Sequence, residues 1–74
     1  MENIIVYVHL LNEGTTVLRP VPALFKGDNK YFLLETNGYD PEDEEWEFLP
    51  RSMVVCEKEI RDGKTILVAK ALID

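Results

Sequence analysis

The residues able to do chemistry are concentrated in one stretch, Asp40-Pro41-Glu42-Asp43-Glu44-Glu45-Trp46-Glu47-Phe48-Leu49-Pro50. It holds six of the fourteen carboxylates of the 74-residue chain and its only tryptophan, in a chain with eight lysines and arginines and a net charge of −6. Carboxylates at this density can accept bidentate hydrogen bonds from arginine side chains of a partner. An exposed indole face can stack a guanidinium or a proline ring. The same residues have a plainer use as a mutually repelling, solvated loop that keeps a small domain soluble. Trp46 alternates with Phe48, and the pair fits the closing end of a core as well as it fits a contact surface. The sequence leaves the burial of Trp46 open. The binding surface expected from the pattern comprises Tyr39, Asp40, Glu42, Asp43, Glu44, Glu45, Trp46 and Glu47. Arg19 stands at its margin, where pairing with one of these acids inside the fold is its natural role.

Other chemistries find less support. The acidic stretch lacks the alternating ligands and central glycine of a calcium loop, and one histidine with one cysteine cannot make a zinc site. No metal or other cofactor is expected. A nucleophile needs a base and an orienting group, for which Cys56 and His9 are the sole candidates. They lie on different strands, and a mid-strand cysteine flanked by Val54 and Val55 reads as core. Paired carboxylates for glycoside cleavage need a deeper cleft than a chain this short builds. The chain is therefore read as non-enzymatic. The basic residues are scattered and the isoelectric point is near 4.6, which disfavours nucleic acid and anionic membrane alike, since both draw affinity from clustered Lys and Arg. The expected partner is a protein with a basic surface or segment. A lone thiol and an N-terminus without a signal-type pattern suit a reducing cytoplasm.

The elements that must position these groups read as short strands. Ile4–Leu11 is apolar and rich in β-branched residues, with Ile4, Val6, Val8 and Leu10 sharing one face and Ile5, Tyr7, His9 and Leu11 the other. A turn at Asn12–Thr15 follows, with Gly14 free to take a positive φ. Pro20 and Pro22 cannot donate to a ladder, so the strand they enter lies on an edge at that point. Val21–Thr36 forms a hairpin about Gly27-Asp28-Asn29, ended by the turn dipeptide Asn37-Gly38. Ser52–Ile60 and Thr65–Leu72 form a second hairpin about Asp62-Gly63. The helix formers Leu67, Ala69, Lys70 and Ala71 offer a short helix as the alternative for the last segment, against which the adjacent turn argues.

Three blocks carry a resemblance over nearly the whole chain: Leu11–Val21 with its Glu-Gly-Thr and Arg-Pro-Val, Glu44–Pro50 with its acidic-Trp-Glu-Phe, and Val54–Glu57. In this order they resemble a set of small uncharacterised bacterial proteins. The resemblance implies a small stand-alone β-domain and transfers no functional residue.

The expected fold is a single domain over 1–74, all-β, a small five-stranded SH3-like barrel with mostly antiparallel strands. A domain of this size buries only about 60% of its unfolded surface, and such cores rarely supply more than about 3–5 kcal/mol unaided. No disulfide is available to help, so self-association as a homodimer stays open. Two functions follow from the acidic segment. One is a protein-interaction module that takes a basic or extended partner segment. The other is an acidic inhibitor or immunity-type protein that neutralises a basic toxin or nuclease by presenting phosphate-like charge.

Overall fold

The fold is that of a computed structural model, which describes residues 3–36 and 39–73. The turn assigned to Asn37-Gly38 lies outside the described residues. Six strands follow in chain order: β1 (Ile4–Leu11), β2 (Leu18–Gly27), β3 (Lys30–Leu33), β4 (Glu45–Trp46), β5 (Met53–Arg61) and β6 (Lys64–Leu72). Among the described residues there is no helix, and the last segment is strand. No helix is long and apolar enough to cross a membrane.

Five strands close on one another in a ring, β1 to β2 to β3 to β5 to β6 and back to β1. Neighbours run antiparallel except at the seam, where β1 and β6 are parallel over Val6–Leu67 and Tyr7–Val68. The two-residue β4 is additional to the five strands the sequence suggests. It pairs antiparallel with the end of β1, Leu10 to Trp46 and Leu11 to Glu45.

Alternation along the strands builds the interior. Val6 and Val8 from β1, Val21 from β2, Leu33 from β3 and Val54 from β5 are fully buried at its centre. Ile5, Tyr7 and His9 point outward, as the period-two pattern requires. Every inward residue lost to a small side chain would leave a cavity that so small a core has little means of closing.

The prolines mark where β2 changes partner. Leu18–Ala23 pair with β1, and Ala23–Gly27 pair with β3. Pro22 directs its carbonyl away from β1, where it accepts the Leu34 N–H at 2.9 Å. Its missing N–H therefore falls on the side where β3 has already ended, so the strand is an edge at that point although it is interior to the ring. Both hairpins turn on two residues of positive φ, Asp28 and Asn29 at 51° and 64°, and Asp62 and Gly63 at 54° and 78°. This is the primed turn that matches strand twist. After β1 the left-handed position belongs to Asn12, at φ 62°, rather than to Gly14. Asparagine tolerates that region better than most residues, and here its side chain also reaches Glu45.

Candidate functional site

The acidic segment folds as one tight turn followed by β4. Asp40 organises the turn: its side chain accepts the Glu42 N–H at 3.0 Å, and its carbonyl accepts the N–H groups of Asp43 and Glu44 at 3.0 and 2.9 Å. Pro41, with its fixed φ, sits where a first helical residue would. The turn does not propagate, because five carboxylates within Asp40–Glu45 repel one another and Glu45 is taken into β4.

Four of the residues expected at the partner surface, Arg19, Tyr39, Glu44 and Trp46, are used internally. Trp46 is 3% exposed and belongs to the core. Its ring packs edge-on against Tyr39 with centroids 4.7 Å apart, and its Nε1–H donates to Glu44 Oε1 at 3.0 Å. The stacking role given to Trp46 is therefore corrected: a buried indole has no face to offer. Glu44 also accepts from Arg19, from Nε at 3.2 Å and from Nη2 to its second oxygen. Its carboxylate thus accepts three hydrogen bonds from one guanidinium and one indole, and only 17% of the side chain remains exposed. Arg19 is the counter-ion of Glu44, the pairing inside the fold that its place beside the acidic segment suggests.

The remaining acids stay outside. Glu47 lies 3.6 Å from His9 Nδ1, and Glu47 N–H holds the His9 carbonyl at 2.9 Å. Glu45 is met only by the neutral amide of Asn12. Glu42 and Asp43 are exposed, and among the described residues their carboxylates form no ion pair. With Glu13, from the β1–β2 turn, they line a groove of about 280 Å³ that Leu11 and Pro41 also line. Glu13, Glu42, Asp43 and Glu45 thus line one groove together with the Arg19-paired Glu44, and among the described residues none of these four makes an ion pair. Sequence reasoning missed Glu13. It is brought in by the pairing of β4 with the end of β1, for which no local pattern exists. Among the described residues no three His, Cys, Asp or Glu side chains are placed to hold a metal ion.

His9 and Cys56 are not brought together as a dyad. His9 is on the outward side of β1 beside Glu47, while Cys56 is 2% exposed in the core. Burial pushes the Cys56 thiol up to about 11 from 9.0, because the thiolate is the form that loses most by desolvation. The native protein at pH 8 is therefore expected to resist an alkylating reagent and to react at one site only after denaturation. Stoichiometric labelling of the folded chain, followed by mass spectrometry, would show this assignment to be wrong.

Comparison of the chain with family models, with curated proteins and with solved structures finds no match.

Proposed function

We propose that this chain is a non-enzymatic protein-interaction module of the cytoplasm, an SH3-like small barrel that takes a basic segment of a protein partner in its acidic groove. The observation that carries the reading is that Glu13, Glu42, Asp43 and Glu45 line one groove and, among the described residues, make no ion pair. Each exposed ion pair formed with a lysine or arginine is worth only about 0–1 kcal/mol, so several must form together and the complex will weaken as salt rises. Arginine is favoured over lysine, since its planar fork can engage two carboxylates at once.

Glu44 is a poor residue with which to test this, being bound to Arg19 and Trp46. The paired reversal Glu42→Lys with Asp43→Lys changes only exposed side chains. Affinity capture on the immobilised wild-type protein, read by mass spectrometry, is expected to return a basic partner that elutes with salt. The double variant is expected to bind that partner about tenfold more weakly, the loss of one to two ion pairs and the new repulsion together, with an unchanged thermal midpoint. Equal capture by both proteins rules the reading out.

A further inference from the structure

The ring is not closed along its whole height. On one side β6 is hydrogen-bonded to β5 from Lys64 to Leu72. On the other side its parallel pairing with β1 stops at Tyr7 and Val68. Beyond that point β1 turns its edge to β4, through Leu10–Trp46 and through the Glu47 N–H to the His9 carbonyl. Among the described residues, no strand pairs with Ala69–Leu72 on that side. Where β1 and β6 part, a cleft of about 560 Å³ opens, with Ala69 and Lys70 on one wall and His9 and Glu47 on the other.

We infer that this seam takes an extended, lysine- or arginine-bearing peptide of the partner, added as a strand to the free edge of β6 at Ala69–Leu72. The inference rests on the acidic-groove reading and names the form in which the basic segment binds. An unpaired strand edge is a template for main-chain pairing, and peptides that bind this way draw affinity from the backbone and selectivity from alternate side chains. Two features point to a cationic peptide. Glu47 lies on the cleft wall, and Leu11 and Glu13 line both the cleft and the acidic groove. The two depressions therefore adjoin at Leu11 and Glu13, which places the acidic groove beside a peptide lying in the seam. The cation already at the cleft is turned away, since Lys70 Nζ donates to Glu59. A second copy is a poorer occupant. Each chain carries −6, so bringing two copies together edge to edge is opposed by their like charge.

The edge can be tested without disturbing the β5–β6 ladder. Ile73 N–H donates to the Met53 carbonyl at 2.9 Å, so alternation points the Leu72 N–H to the unpaired side. Leu72→Pro therefore removes a donor from the free edge alone. The probe is a blocked octapeptide alternating Lys and Val, with two further versions N-methylated at every Val or at every Lys, and binding is read by calorimetry. The unmodified peptide is expected to bind. One of the two methylated versions, the one whose blocked amides face β6, is expected to lose about tenfold or more, the effect of one to two hydrogen bonds. The other is expected to retain affinity, and Leu72→Pro is expected to lose a similar factor. The methylated peptides use the unaltered protein, so a folding defect in Leu72→Pro does not obscure the answer. Equal affinity for all three peptides, with loss only in Glu42→Lys/Asp43→Lys, overturns the strand and leaves the acidic groove standing. No binding of any basic peptide overturns both. A dimer in sedimentation that Leu72→Pro dissociates gives the edge to a second copy and overturns the peptide.

Discussion

Trp46→Ala is expected to abolish the fold at 25 °C. Replacing a buried tryptophan by alanine costs about 3–5 kcal/mol through lost transfer energy and the cavity left behind. A core of this size supplies about as much in total. The position is unusually exacting for a residue in so acidic a segment. Trp46 pairs with Leu10 across β4 and β1, packs edge-on against Tyr39 and gives its N–H to Glu44. One side chain thus fixes the acidic turn to the core by three kinds of contact. Trp46→Phe keeps most of the apolar contact and loses the donor, so it is expected to fold with a loss of about 1–2 kcal/mol. Urea unfolding followed by far-ultraviolet circular dichroism separates the two variants. A contact-surface tryptophan would behave oppositely, with Trp46→Ala as stable as the wild type, and that result would return Trp46 to the binding surface.

How much of this was legible depended on the range of the interactions. The two faces of β1 could be read directly from the period-two alternation of Ile4, Val6, Val8 and Leu10 against Ile5, Tyr7, His9 and Leu11. Both are largely apolar, and only the fold shows that Val6, Val8 and Leu10 point inward. The hairpins were legible from Asp-Asn and Asp-Gly, whose chemistry is local. β4 was not. Two residues, Glu45 and Trp46, carry no periodicity, and their partners Leu10 and Leu11 lie more than thirty positions earlier. The charges on both sides of Trp46 left its burial open, and only the pairing of β4 explains how an indole among carboxylates reaches the core. The acidic groove inherits the same difficulty, because Glu13 joins it through that pairing. The parallel seam was hidden for a related reason. Ile4–Leu11 and Thr65–Leu72 are both strand-like, but nothing in either states that they lie side by side over two residues and then part.

Arg19→Ala is the second large effect, and it separates structural from available carboxylates within one short segment. Glu44 accepts from both Nε and Nη2 of Arg19 and from the Trp46 indole, and little of it is open to solvent. Removing the guanidinium leaves a half-buried carboxylate beside Asp43 and Glu45 with nothing but an indole to hold it. Breaking a fully buried pair in this way costs about 3–5 kcal/mol, and the 42% exposure of the Arg19 side chain lowers the expected loss to about 2 kcal/mol. The charge itself is the cause, so Glu44→Gln in the Arg19→Ala background is expected to recover a large part of that stability. The neutral amide still accepts from Trp46 Nε1 and no longer needs a counter-ion. A double-mutant cycle on urea midpoints measures the coupling. A coupling near zero would mean that Arg19 and Glu44 merely lie near each other at the surface. A coupling of about 1–2 kcal/mol would establish that the fold consumes Glu44 and leaves Glu13, Glu42, Asp43 and Glu45 as the carboxylates open to a partner.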